Sequence, residues 1–221
     1  MPAPHTVVVS AFEPFGGADH NPSQDVLDLL TQRAEQGELT VQAEHDVVVT
    51  PLTLPVEFGR AGKLLTEAIN RHSPALVIAL GLAAGTEAVR LERVGLNLRD
   101  ARIPDNAGAQ PAEAPVAPQG PPALFSTLRL KAAHARIAAA GIPVALSLSA
   151  GSYVCNDLLY TALHHISTQN LKIPAGFVHV PDLRSPETPV STEQATTALD
   201  LLIAESLKKD DDDATPLGPL H

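Results

Sequence analysis

Cysteine and tryptophan are almost missing from this chain, and the scarcity of cysteine already limits its chemistry. The 221 residues contain one cysteine, Cys155, one methionine and no tryptophan. One cysteine excludes an internal disulfide, which agrees with a cytoplasmic protein. Aromatic residues are also rare, with two tyrosines and five phenylalanines. A short segment that holds two of them therefore stands out.

Basic residues and long apolar runs are scarce too. The chain has 15 Lys and Arg against 25 Asp and Glu, for a net charge of −10. This balance argues against a nucleic-acid partner. No run of about 18 apolar residues is present, so no membrane span is expected. The beginning of the chain, MPAPHTVVVSAF, lacks the basic region of a secretory signal.

The length suits one domain over residues 1–209, followed by an acidic tail over 210–221. The run from Asp210 to Asp213 is expected to be solvated and not to bind a metal.

Apolar segments predict a set of strands. Val7 to Ser10, Leu76 to Gly81 and Val144 to Ser149 resemble buried parallel strands, and each precedes a loop with Gly or Pro. Gly176 to Pro181 predicts a further strand, and Val41 to Pro51 predicts one at the sheet edge.

Helical spacing of apolar residues fills the intervals between these strands. The predicted helices span residues 23–35, 56–71, 128–140, 155–169 and 193–209. Such alternation predicts an α/β domain with helices on both faces of a sheet. Residues 95–122 break the pattern, because they are rich in Pro, Gly, Asp and Asn and support no helix. Segments like this are usually functional loops, hairpins or oligomer contacts.

The position of Cys155 is the first sign of an active site. It follows the predicted strand 144–149 and a five-residue turn, which places it in the first turn of a helix. Unpaired N–H groups and the helix dipole favour a thiolate there. A histidine, His179, falls near the end of the next strand, so the pair is a candidate for acyl transfer. A buried structural thiol is the alternative that these two residues leave open.

Glu92 is the candidate third member of this group. It lies between Arg90 and Arg93, which would keep it ionised. Its carboxylate can accept the second ring N–H of His179 and fix the tautomer of the imidazole. The alternative is a surface salt bridge with its neighbours.

A turn after the first strand holds two of the seven aromatic residues. Phe12 and Phe15 stand three residues apart, before Gly16-Gly17, whose backbone freedom suits a sharp turn. Asn21 or the serine two residues later can cap the following helix. The two phenylalanines either form a small apolar pocket or simply pack in the core.

Metal binding and phosphate binding fit poorly. His164 and His165 are adjacent on a predicted helix and point in different directions, while His72 and His134 have no ligand at suitable spacing. The glycine turn lacks the Walker lysine and the GxGxxG spacing. No metal and no cofactor are therefore expected.

Together these segments resemble the pyroglutamyl peptidase type I family, also called pyrrolidone-carboxylate peptidases. The resemblance rests on four blocks: AFEPFGG…NPS at 11–23, ERVGLNLRDARIPDNAGAQP at 92–111, SAGSYVCN at 149–156 and GFVHVP at 176–181. It implies a three-layer α/β/α sandwich with a mixed central sheet, as in nucleoside phosphorylase-like proteins. It also implies removal of N-terminal pyroglutamate from peptides, and a homotetramer.

The resemblance assigns roles to individual residues. Cys155 matches the nucleophile, His179 the base and Glu92 its orienting acid. The substrate-binding positions are matched by Phe12, Phe15, Asn21 and Arg102, of which the phenylalanines hold the pyroglutamyl ring and Arg102 lies close to the nucleophile.

Two residues depart from the family pattern. Thr86 stands where the family usually carries arginine, and Arg90 is a candidate substitute. Asp182 stands where an aromatic residue often follows the histidine strand. Two other functions compete with the peptidase: a nucleoside-processing or nucleoside-binding protein on the same fold, and an inactive binding protein with a buried Cys155.

Overall fold

A six-stranded mixed sheet forms the centre of the structure, a computed structural model that describes residues 4–208 and 210–217. The strands in chain order are β1 (His5–Phe12), β2 (Val47–Leu54), β3 (Leu76–Leu82), β4 (Val89–Glu92), β5 (Val94–Leu96), β6 (Ala123–Phe125), β7 (Val144–Ser147) and β8 (Ala175–Val180). The central sheet has the order β2-β1-β3-β8-β4-β7, and β5 pairs with β6 in a separate antiparallel pair.

The direction of the strands corrects one prediction. Strands β2, β1, β3 and β8 are mutually parallel, but β4 runs antiparallel to β8, and β7 runs parallel to β4. The predicted strand 144–149 is therefore antiparallel to the others, ends at Ser147 and is only partly buried. The short connection between β3 and β4 cannot hold a parallel crossover, so the chain has to reverse.

The predicted edge strand also shifts along the chain. Thr40–Ala43 forms a short 3-10 helix, and β2 begins at Val47 and continues to Leu54. This strand lies at the edge of the sheet. Pro51 falls inside it, and an edge position tolerates a residue without an N–H group.

Five helices cover the sheet, close to their predicted positions. They are α1 (Pro22–Gln36), α2 (Arg60–His72), α3 (Leu130–Ala139), α4 (Val154–Thr168) and α5 (Thr192–Ser206). Helix α2 begins four residues later than predicted, because Gly59 has φ of 71° and the backbone N–H groups of Phe58 and Gly59 donate to Asp105 and Asp157. The predicted end of the last helix, Lys209, lies outside the described residues.

The helices form two layers with separate apolar cores. Residues of α1, α3 and α5 pack on one face of the sheet around β1 residues Val7 and Val9. Residues of α2 and α4 pack on the other face around Val8 and Phe12. The alternation of β1 between the two cores follows from the two-residue period of a strand. The result is the predicted three-layer α/β/α fold.

The segment after β4 is ordered by buried polar residues instead of an apolar core. Asn156 accepts from the N–H of Leu96 and donates to the carbonyls of Leu96 and Leu98. Asp157, which is fully buried, accepts from Arg99 at 2.6 Å. Both polar residues follow Cys155 on α4, so the helix of the candidate nucleophile also holds this segment in place.

Candidate active site

A small cavity lies where β1, β3 and β8 end and α4 begins. Its volume is about 150 Å³, and its lining includes Cys155 and His179 together with aromatic and aliphatic side chains. The full lining is Phe12, Phe15, Asn21, Val56, Leu82, Ala150, Tyr153, Val154, Cys155 and His179. The cavity is well below the roughly 300–1,000 Å³ of drug-sized sites, so it suits a small ring.

The environment of Cys155 follows from its place on the helix. Helix α4 begins at Val154, so Cys155 occupies the first turn, as predicted. Tyr153 precedes the helix, and no side chain of the described residues caps the first N–H groups of α4. These groups and the positive end of the helix dipole stabilise negative charge beside the sulfur.

Gly81 makes room for the sulfur at the end of β3. A Cβ atom at this position would lie 2.9 Å from the Cys155 Sγ and 2.8 Å from the ring of Phe177. Both distances are far shorter than real contacts of a Cβ atom allow. The absence of a side chain at Gly81 therefore lets the Cys155 sulfur lie directly against the sheet, a feature that the strand pattern did not reveal.

His179 is held from behind by Glu92. The Glu92 Oε1 lies 2.8 Å from the His179 Nδ1, and the Glu92 side chain is completely buried. The predicted contact is thus present, and the alternative of a surface salt bridge is wrong. With Nδ1 on the carboxylate, Nε2 of the imidazole is left for chemistry in the cavity.

Opposing influences set the pKa of His179. Burial lowers it, but the Cys155 sulfur and the Glu92 carboxylate outweigh burial and raise this pKa from 6.5 to about 9. A positively charged imidazole beside a cysteine stabilises negative charge on the sulfur.

Aromatic side chains form the wall opposite these polar groups. Phe12 lines the cavity although it is almost fully buried, and Phe15 packs against Tyr153 with ring centroids 6.3 Å apart. Phe58 meets the other side of Tyr153 at 5.3 Å. The Tyr153 hydroxyl donates to the carbonyl of Pro104 and so joins the wall to the loop after β4. Sequence reasoning assigned no role to Tyr153, although its rarity as one of two tyrosines was a signal.

Asn21 lines the cavity and also shapes it. Its Oδ1 accepts from the backbone N–H of Ser23 and caps α1, and its Nδ2 donates to the carbonyl of Glu13. Gly16 and Gly17 adopt φ of 63° and 84° in the same turn, as predicted from their backbone freedom. Asn21 thus fixes the turn that carries Phe12 and Phe15.

The cavity lining does not include Arg102, nor the two residues that depart from the family pattern, Thr86 and Asp182. Arg102 is exposed on the loop between β5 and β6 and does not line the cavity. Thr86 closes its own turn by donating to the carbonyl of Ala83. Thr86 and Asp182 line a separate cavity of about 270 Å³. The binding role of Arg102 stays a prediction.

Asp105 orders the loop near the cavity. It is buried, and its carboxylate accepts from the N–H groups of Phe58, Ala107 and Ala109. Next to it, Asn106 donates to Glu13. The RIPDN segment of the family resemblance therefore folds back onto the turn of Phe12 and Phe15.

Clustered metal ligands and membrane-spanning helices are both missing from the described part of the chain. In residues 4–208 and 210–217, no three His, Cys, Asp or Glu side chains come together as metal ligands would. Across the same residues, every helix is too short or too polar to cross a membrane.

A cysteine at a helix N-terminus, a histidine facing it and a carboxylate behind the histidine are the parts of a cysteine-type acyl-transfer enzyme. The comparison with known proteins agrees with this class. The family model for pyroglutamyl peptidase matches residues 5–204. The chain belongs to this family of cysteine peptidases, which favours the peptidase over the nucleoside-processing and inactive alternatives.

Curated relatives and solved structures match over most of the chain. The pyrrolidone-carboxylate peptidase of Gloeobacter violaceus is 44% identical over 86% of this chain and 90% of its own length. That of Yersinia pseudotuberculosis is 38% identical over 97% and 99%. The crystal structure of pyroglutamyl peptidase I from Bacillus amyloliquefaciens has a TM-score of 0.86 and 32% identity, covering 97% of this chain and 100% of that chain.

Proposed function

We propose that this chain removes N-terminal pyroglutamyl residues from peptides through a thioester on Cys155. The observation that carries this proposal is the joint position of Cys155 and His179 in one small aromatic cavity, with Glu92 behind the histidine. The family membership supports the choice of substrate.

The first half of the reaction forms the thioester. The Cys155 thiolate adds to the carbonyl carbon of the pyroglutamyl residue, and the N–H groups at the start of α4 stabilise the oxyanion. The imidazolium of His179 then donates its proton to the leaving nitrogen as the C–N bond breaks. The shortened peptide leaves with a free amino group.

The second half consumes one water. Neutral His179 takes a proton from the water, the hydroxyl adds to the thioester carbonyl, and the C–S bond breaks to release pyroglutamic acid. Cys155 returns as a thiolate beside protonated His179. Glu92 keeps the imidazole oriented in both halves and stabilises its charged form.

Selectivity follows from the chemistry of the cavity lining. A pyroglutamyl group is a neutral lactam, and the walls of Phe12, Phe15 and Tyr153 suit its ring. Proline has the same ring size but lacks the ring carbonyl, so it leaves a lactam-binding donor unpaired.

The test is release of a fluorophore from a pyroglutamyl amide, with prolyl and glutamyl amides as controls, for the wild-type chain and for Cys155→Ala. We expect turnover of the pyroglutamyl amide alone, abolished by the substitution. A covalent acyl-enzyme seen by mass spectrometry after rapid acid quench would identify the thioester. No turnover by a folded, reduced wild-type chain would overturn the proposal.

We further propose that the enzyme is a cytoplasmic homotetramer and binds neither nucleic acid nor membranes. A thiol nucleophile suits a reducing compartment, and the net charge of −10 disfavours a polyanion.

An apolar groove of about 450 Å³ supports self-association, because Phe125 at its rim is 66% exposed. Light scattering on the wild type and on Phe125→Ser would test the assembly.

A further inference from the structure

Arg90 is charged, lies next to the candidate catalytic group and has no part in the mechanism above. It is on β4, directly opposite His179 in the antiparallel pairing with β8. Residues that face each other in this way project on the same side of the sheet. Glu92, two residues further along β4, projects on that side as well.

The contacts of Arg90 join three strands. Its Nε lies 3.7 Å from the Glu92 Oε1, the same oxygen that faces His179. Its Nη2 donates to the Ser147 Oγ at 2.7 Å, at the end of β7. The Ser147 hydroxyl in turn donates to the carbonyl of Ser149, in the turn that leads to Cys155. Arg90 therefore connects the carboxylate behind the histidine with the approach to the nucleophile.

The burial of Glu92 gives a second nearby cation, besides the His179 imidazolium, a stabilising role. Its side chain has no exposed surface, and the Glu92 Oε2 has no hydrogen-bond partner in the described part of the chain. A buried carboxylate with one partner is costly unless a positive charge lies close to it. The Arg90 side chain is 34% exposed, so it brings this charge without being fully buried itself.

We propose that Arg90 is a positioning residue of the active site, which holds the Glu92 side chain in place behind His179 and joins it to the Ser147 turn. The inference rests on the proposed peptidase function for its kinetic test. Arg90 does not touch the substrate in this proposal; it acts through Glu92. It also supplies a cation from the sheet itself, whereas Thr86 in the preceding loop supplies none.

The main variant is Arg90→Met, which keeps the length of the side chain and removes its charge. We expect kcat/KM on a pyroglutamyl amide to fall about tenfold, mostly through kcat, because the ring pocket is unchanged. Arg90→Lys should recover a large part of the loss, since it restores the charge. Arg93→Met is the matched control, because Arg93 follows Glu92 directly in the chain but forms no salt bridge with it among the described residues.

A pH profile separates positioning from a merely structural effect. Cys155 and Tyr153 face His179 from α4 and its N-terminal turn, and Glu92 and Arg90 face it from β4. Removing the Arg90 cation favours the imidazolium, so the alkaline limb of the profile should move to higher pH in Arg90→Met and return in Arg90→Lys. The rate of Cys155 alkylation against pH should show the same shift without any substrate.

The outcomes are distinct. Equal kinetics for Arg90→Met and Arg93→Met would overturn the inference while leaving the peptidase function intact. A loss of activity with an unmoved pH limb and no rescue by lysine would also overturn it, since that pattern means loss of packing. An inactive wild type would instead overturn the proposed function, and the alkylation profile would still test Arg90.

Discussion

The two parts of the central sheet differ in composition and in what they contribute to the site. Strands β2, β1, β3 and β8 are parallel, and β3 and β8 are buried along almost their whole length. Strands β4 and β7 are short, antiparallel to the rest, and carry Arg90, Glu92 and Ser147. The parallel, apolar strands fix the positions of Cys155 and His179. The antiparallel strands β4 and β7 supply the charged and polar side chains around His179.

His179 lies at the boundary between these two parts. Its strand pairs with β3 on one side, where Gly81 is its partner, and with β4 on the other, where Arg90 is its partner. One side thus gives space for the Cys155 sulfur, and the other gives the electrostatic environment of the imidazole. Substitutions on the two sides should consequently reduce activity for different reasons: on one side by displacing the sulfur, on the other by changing the charge around the imidazole.

The largest effect is expected on the polar side, from Glu92→Gln. The amide cannot stabilise the imidazolium, and its NH2 group favours the wrong tautomer of His179, so kcat should fall by about 10³–10⁴. Steady-state kinetics with a circular dichroism check of the fold would measure it.

Glu205→Gln is the control for Glu92→Gln. Glu205 is also buried, but it pairs with Arg129 and Arg136 on the far side of the molecule. We expect this variant to lose stability and keep kcat. Glu92→Gln activity above a tenth of wild type would contradict the proposed role of Glu92.

On the apolar side, Gly81→Ala should reduce kcat/KM by about a hundredfold. The added methyl group would meet the Cys155 Sγ and the Phe177 ring, and displacement of the nucleophile by about 1 Å has a cost of this size. Gly176→Ala is the matched control, because its methyl group would meet Ser126 and Leu128 instead. It should lower Tm without affecting the chemistry; equal kinetic losses in both variants would contradict a specific role for Gly81.

The pH dependence of stability and of kcat/KM should be set by His179, which contacts both parts of the sheet. Because its pKa is raised from 6.5 to about 9 in the folded state, the imidazolium stabilises the fold fully below about pH 6.5. This stabilisation is lost as pH rises through about 9, and kcat/KM should fall over the same range. Urea unfolding across this interval, compared with Cys155→Ala, would check it. The variant should show a weaker dependence, because it lacks the sulfur that helps to raise this pKa.

The smallest effect concerns a region remote from both sides. Asp212, in the acidic tail, accepts from the backbone N–H groups of Lys131 and Ala132 at the start of α3. Asp212→Ala should lower Tm by about 1–3 °C through loss of this cap, with kcat unchanged. Asp210→Ala, in the same exposed run, is the control. Equal melting temperatures for the two variants would contradict the cap and would support the fully solvated tail that the composition predicts.

Much of the fold and of the site followed from local patterns. Apolar runs identified β1, β3 and β8, because these strands are buried on both faces of the sheet. Helical spacing located all five helices, because their apolar residues recur with the helical period. Cys155, His179 and Glu92 were predicted as candidates because each lies at a recognisable place relative to a strand or helix, and the structure brings His179 and Glu92 together. The predicted direction of β7 was wrong, because an apolar run does not show in which direction its strand runs in the sheet.

What remained hidden depends on packing between distant parts of the chain. The roles of Tyr153, Gly81 and the hydrogen bond between Arg90 and Ser147 exist only because the fold places other elements around them. Asp105 and Asp157 likewise have the sequence context of ordinary loop and helix residues. Their burial and their N–H and guanidinium partners are consequences of packing.

The sequence by itself determined the family, the alternation of strands and helices, and the candidates for the chemistry, because these are properties of local order and motif. Only the tertiary structure decided that Glu92 is buried against His179 and that Gly81 leaves room for the Cys155 sulfur. It also decided that Arg90 lies beside both Glu92 and His179. Those facts arise from the register of β8 between β3 and β4, which long-range pairing sets and local sequence does not.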